Sequence, residues 1–130
     1  MPIRIVKLGS ERAADEGTRI GTVRRPPRGV PKNEFATGNW YDVWYPELAP
    51  SVDTMKLGQA ATSEAQWQAF AQAYRREMKT PEASRTLALL AALSRHANFS
   101  VGCYCADEAR CHRAILRQLL QEAGALLAPA

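Results

Sequence analysis

Apolar and polar positions mostly alternate over Ile3-Arg4-Ile5-Val6-Lys7-Leu8, the rhythm of a strand with one buried face. Gly9 to Gly17 is polar and charged and reads as a loop, and Thr18–Val23 is a second short, β-branched strand. The run Arg24–Pro31, RRPPRGVP, ends regular structure, because proline and glycine fill half of it. Its prolines stiffen the loop and lower the entropy cost of holding its arginines in one arrangement. Phe35, Trp40, Tyr41, Trp44 and Tyr45 follow, five of the ten aromatic residues, and are expected to pack as a lid over the core.

Ser63–Lys79 carries the clearest helical period, with Trp67, Phe70, Ala71, Tyr74 and Met78 on one face and Gln, Arg and Glu opposite. Thr80-Pro81-Glu82 then starts a second helix with a cap, a proline at the first position and an acid in the first turn. This helix is expected to run to about Ala97 and, with Leu87, Leu89, Leu90 and Leu93 spread around it, to be largely buried. Phe99–Tyr104 reads as the last strand. Arg110–Glu122 reads as the last helix, with Ile115, Leu116, Leu119, Leu120 and Ala123 inward and Gly124 at its end. Helix, strand and helix in succession predict an α/β fold: a single-domain sandwich over residues 1–130, with a small, at least partly parallel sheet flanked by helices.

Composition narrows the class. At 130 residues, 46% hydrophobic and 23% charged, the chain has material for one ordinary core. No run approaches the ~18 apolar residues of a membrane span. Met1-Pro2-Ile3-Arg4 has no apolar leader region, and the expectation is a cytoplasmic protein. Three cysteines, two of them only two positions apart, suit a reducing compartment.

Charge matters by position. Residues 1–35 hold eight bases and four acids, whereas residues 36–130 hold nine of each, so the whole excess of +4 lies in the first segment. Arg19, Arg24, Arg25, Arg28 and Lys32 follow one another with no acid between Thr18 and Asn33, a local field that attracts anions. A solvated loop would carry the same charges; the aromatics after it could stack single-stranded nucleic acid, but such stripes are more often core.

The reactive side chains gather in Val101-Gly-Cys-Tyr-Cys-Ala-Asp-Glu-Ala-Arg-Cys-His-Arg113, a strand, turn and helix start. His112 precedes Ile115 and Leu116 by three and four residues, which places it on the inward side, flanked by Arg110 and Arg113. Cys103, Cys105, Cys111 and His112 form a soft donor set for zinc or iron. However, C-x-C-x5-C-H is not the usual C-x2-C spacing, and Cys111 and His112 would point about 100° apart on a helix. A cysteine near a helix start beside Arg and His is also a lowered-pKa nucleophile, but a phosphatase-type Cys-x5-Arg fails, since Cys111 stands where the arginine is needed after Cys105. A third reading is anion recognition by His112, Arg113 and helix amides, opposed by Asp107 and Glu108 unless Asp107 caps the helix. Cys103 alone reads best as a small buried hydrophobe.

Two blocks together resemble a known family. Arg19-Ile20, Arg24, Pro27-Arg28-Gly29-Val30, Trp44, Glu47 and Pro50-Ser51 resemble the signature of the YeaO-like proteins, domain-of-unknown-function family 488. Cys111-His112-Arg113 resembles a Cys-His-Arg motif in branches of that family. The resemblance implies a small α/β protein of bacterial or archaeal type and brings no established activity. Val23 and Pro26 stand where the signature has an acid and a tryptophan, and the three cysteines lie outside the YeaO branch's pattern. The resemblance therefore singles out Arg24, Arg28 and His112. The reading at this level is an anionic ligand, a nucleotide or other phosphorylated metabolite, between the Arg24–Gly29 loop and the Cys105–Arg113 segment. Arg24, Arg28, Gly29 and Arg113 would bind it, and His112 would donate a hydrogen bond or act as acid/base near neutral pH. The alternatives are a metal- or redox-active thiolate protein using Cys103, Cys105 and Cys111, and a nucleic-acid-binding accessory protein.

Overall fold

The structure, a computed structural model, describes residues 3–105 and 110–129. Strands β1 (Ile3–Lys7), β2 (Thr18–Gly21), β3 (Val43–Trp44) and β4 (Phe99–Cys103) form a sheet of order β1-β4-β2-β3. Every pairing is parallel: Ile3 faces Phe99, Ile20 faces Val101, and Ile20 faces Val43. Helices α1 (Val52–Ala60), α2 (Glu64–Glu77) and α3 (Pro81–Leu93) come between β3 and β4, and α4 (His112–Glu122) closes the order. This is the small α/β fold expected, with the sheet wholly parallel among the described residues.

Strand alternation decides which face meets the helices. Ile3, Phe99 and Val101 project to one side, where they pack with Phe70 and Tyr74 of α2, Leu87 and Leu90 of α3, and Ile115, Leu116 and Leu120 of α4. On the opposite side lie Ser100 and Arg19, both buried and polar. Residues of the loops between β1, β2 and β3 cover them. Arg19 is completely buried and donates Nε to Glu16 Oε2 at 2.7 Å and Nη2 to Glu16 Oε1 at 3.0 Å. Its Nη1 donates to the carbonyls of Ser10 (2.9 Å) and Asn39 (2.7 Å). Ser100 Oγ donates to Glu16 Oε2 at 2.7 Å, which ties this network to the central strand.

Several expectations change in detail. Ser63 caps α2 with a capping box, its hydroxyl accepting from the Gln66 amide while the Gln66 side chain accepts from the Ser63 amide. The following helix ends at Leu93 rather than near Ala97, and it is not largely buried. It packs on one side only, so Leu87 and Leu90 are buried while Leu89 and Leu93 remain 58% and 43% exposed. Ala123, expected on the inner face of the last helix, is exposed. The aromatic stretch is not one lid. Phe35, Trp40 and Tyr41 join Leu8, Val23, Cys103 and Cys111 in a second cluster, Val43–Trp44 pairs as β3, and Tyr45 packs on the main core.

Helix α1 has no counterpart in the sequence reading. Ser51 caps it, with Oγ accepting from the Thr54 amide and donating to Glu77 Oε2 at 2.6 Å. Glu77 also accepts from the Ser51 amide and Thr54 Oγ1, so the end of α2 holds the start of α1. The chain end closes the outer edge of β1: the Ile3 amide donates to Leu126 O and the Ala128 amide to Ile3 O, both at 2.8 Å.

Glu16→Ala leaves the Arg19 charge buried without its partner and is expected to lower the unfolding free energy by about 3–5 kcal/mol, read by urea denaturation. Burial alone raises the Glu16 pKa, but hydrogen bonds from Arg19, Ser100 and the Ala13 amide, with the Arg19 charge, hold it below the ordinary 4.5. The stabilisation is therefore complete above 4.5 and is lost as pH falls through the lower folded value. Identical acid profiles for the wild type and Glu16→Gln would show that the carboxylate carries no such coupling.

Candidate functional site

Strand β4 delivers Cys103 to the carboxyl edge of the sheet, where open parallel sheets bind ligands. Gly102 before it leaves no room for a side chain, since a Cβ there would sit 2.5 Å from Val6 O. The Leu8 amide donates to Cys103 O at 2.7 Å, so the strand end is fixed on its β1 side. Cys111 and His112 return to the same place from the start of α4. Cys111 is the residue before the first helical turn, with extended backbone angles (φ −135°, ψ 156°). The 100° divergence expected of two successive helical residues therefore does not apply. The ligand atoms of Cys103, Cys111 and His112 all lie within 4.8 Å of one another, and all three residues are buried.

Cys105 lies outside this grouping, although its thiol interacts with those of Cys103 and Cys111. It is also the one exposed cysteine of the three. Hydrogen bonds from Cys103 and Cys111 hold the Cys105 pKa well below that of an ordinary thiol, against the effect of burial, and the Arg113 charge adds to this. Cys103 moves the other way, because its bonds to Cys105 and Cys111 and its burial favour the protonated thiol. One thiolate is thus stabilised by two thiols beneath it.

His112 is buried against Tyr74, whose ring meets it edge-on at 5.5 Å. Its Nε2 lies 2.8 Å from Thr22 O, which only accepts, so Nε2 carries the proton. Nδ1 is then the acceptor and lies 3.7 Å from Cys111 Sγ. Burial pushes the His112 pKa down to about 4, so the imidazole is neutral at neutral pH. Proton transfer near neutral pH, expected from the ordinary histidine value, does not suit this environment.

The Arg24–Gly29 loop and the thiol cluster line one cleft of about 530 Å³, with Arg24, Arg25, Arg28, Cys103, Cys105 and His112 in its wall. Arg24 donates Nε to Pro50 O and Nη2 to Ala49 O, both at 3.1 Å, which braces the approach to α1. Arg28 is exposed. Gly29 lies outside the lining and has φ +75°, a left-handed turn that favours glycine. Arg113 is buried, and its Nη2 donates to Cys105 O. Arg110 turns away, its guanidinium 5.4 Å from the Trp67 ring centroid and 3.6 Å from Glu64. Asp107 and Glu108 lie outside the described residues.

Some of the cleft was not singled out by the sequence. Met55, Lys56 and Gln59 reach it from α1. Ser51 with Asp53 behind it was the available signal for that helix, an N-cap followed by an acid in the first turn. Thr22, whose carbonyl fixes the histidine tautomer, left no sequence signal. Tyr104 lines the cleft and donates its hydroxyl to Arg25 O at 2.8 Å, which ties the loop to the strand end.

No curated protein and no solved structure matches the chain. Residues 3–124 match the family described as the active DUF488-N3 subclade. That match spans both the arginine loop and the Cys-His-Arg segment, so the chain belongs to the DUF488 family.

Proposed function

We propose that the protein binds a small anionic ligand, of the class of nucleotides and phosphorylated metabolites, and presents the Cys105 thiolate to it as a nucleophile. One observation carries this reading. The exposed Cys105 thiol opens on a cleft whose described lining holds Arg24, Arg25, Arg28 and Lys56 and no acid. In this reading Arg25 and Arg28 hold the anion. Arg24 and Arg113 brace the wall through backbone carbonyls, and Gly29 supplies the loop's turn. His112 is a positioning residue, a neutral imidazole anchored by Nε2–H on Thr22 O, whose ring packs beside the Cys111 thiol.

A second reading has its own observation in the 4.8 Å grouping of Cys103, Cys111 and His112. The donor set suits zinc or iron, with Nδ1 as the ligand atom and Nε2 anchored on Thr22 O. Cys105 lies outside that grouping and would have to move in to serve as fourth ligand, and no free thiolate would then remain.

Three measurements separate these readings. Arg25→Ala and Arg28→Ala are each expected to weaken binding of phosphate or nucleotides by about tenfold or more, the effect of losing a charged hydrogen bond. Thermal-shift titration checks this, and unchanged midpoints in both variants would remove the anion site. Iodoacetamide should alkylate Cys105 far faster than Cys103 or Cys111, at a rate that stays level as pH falls below the ordinary thiol value of 9.0. Peptide mass spectrometry reads the site and the rate, and equal labelling of all three cysteines would count against a selective nucleophile. Elemental analysis of untagged protein purified without chelator decides the metal reading. About one zinc or iron per chain, lost in Cys111→Ser, would establish it and displace the thiolate.

A further inference from the structure

A larger groove, of about 870 Å³, lies on the other side of the arginine loop. Lys7, Leu8, Gly9 and Ser10 after β1 form one wall, and Arg25, Pro26, Pro27 and Arg28 form the other, with Trp40 and Tyr104 between them. Arg25, Arg28 and Tyr104 also line the thiol cleft, so the two hollows share one ridge. Both volumes fall within the ~300–1,000 Å³ of ligand sites.

We propose that this groove is a nucleobase subsite, so that the ligand of the thiol cleft is a free nucleotide with its base at Trp40 and its phosphate on the Arg25–Arg28 ridge. The inference rests on the anionic-ligand reading above and narrows it. The indole is held in place: a Cβ on Gly9, whose φ is +91°, would come within 3.0 Å of the six-membered ring. A Cβ on Gly38 would lie 3.1 Å from the five-membered ring. Tyr104 meets Trp40 edge-on, with centroids 6.0 Å apart and planes at 71°. An aromatic fixed in this way beside cations suits a ligand with a planar π-system joined to an anion.

Charge distribution favours a free nucleotide over a strand. Lys7, Arg25 and Arg28 make the groove basic, and its described lining has no acid. Beyond residue 35 the nine bases are matched by nine acids, so the sequence supplies no excess positive charge for the backbone of a longer strand to follow.

The test compares binding of the common nucleoside monophosphates, ribose 5-phosphate and inorganic phosphate by thermal shift and calorimetry. At least one nucleoside monophosphate should bind the wild-type protein about tenfold or more tighter than ribose 5-phosphate. Trp40→Leu should remove that advantage while leaving phosphate binding unchanged, and Trp40→Phe should restore much of it. Equal affinity for nucleotides and ribose 5-phosphate in the wild type overturns the subsite while the anion site stands. A single-stranded oligonucleotide that binds far more tightly than every mononucleotide, with a steep salt dependence, overturns the free-nucleotide assignment. Failure of all three ligands to bind removes both the subsite and the anionic-ligand reading.

Discussion

A single buried guanidinium sets the shape of the face without helices. Arg19 sits on β2 with its charge enclosed, and the loop before it supplies the countercharge through Glu16. Enclosing an ion pair is costly unless geometry and hydrogen bonding are nearly complete. Here Nη1 reaches Ser10 O in the same loop and Asn39 O in the loop between β2 and β3, so two loops are fixed by one group. Asn39 adjoins Trp40, and Ser10 lies in the wall that faces it. The position of the larger groove therefore depends on a charge that no ligand reaches. Asp42 extends the arrangement outward, accepting from the Arg19 amide at 2.8 Å and from the Arg12 guanidinium.

The site follows from a division of labour among like residues. Of the arginines near the thiols, Arg24 and Arg113 bond backbone carbonyls and shape the wall, while Arg25 and Arg28 line both hollows. The cysteines divide in the same way: Cys103 and Cys111 are buried, and Cys105 is exposed. Burial, and not the thiols, keeps the imidazole beneath them neutral. Thr22 O sets which nitrogen carries the proton, Nε2, while favouring the charged ring that burial opposes.

How much of this the sequence revealed varied with the kind of signal. The stripe of Trp67, Phe70, Tyr74 and Met78 and the Thr80-Pro81 start were strong because period and capping agree. Ile3–Lys7 and Phe99–Cys103 were legible as strands for similar reasons, as was the gathering of Cys103, Cys105, Cys111 and His112. Helix α1 escaped because its interior contains Gly58 and its apolar residues are few; Gly58 is there because Phe70 packs against it, 2.8 Å from where a Cβ would stand. A two-residue strand such as β3 has no period to read. Arg19 belonged to a run of bases that looks solvated, and its burial depends on Glu16, Ser10, Asn39 and Ser100 meeting in space. The approach of Cys111 to His112 likewise depends on where the helix begins, which spacing alone misplaced by two residues.

Tyr104 stands between Cys103 and Cys105 in sequence and between the two hollows in space, with its hydroxyl on the backbone of the arginine loop. One side chain thus couples the loop mechanically to the peptide that carries the reactive sulfur. The Arg25 carbonyl and the Cys103–Cys105 backbone are thereby held at a fixed separation.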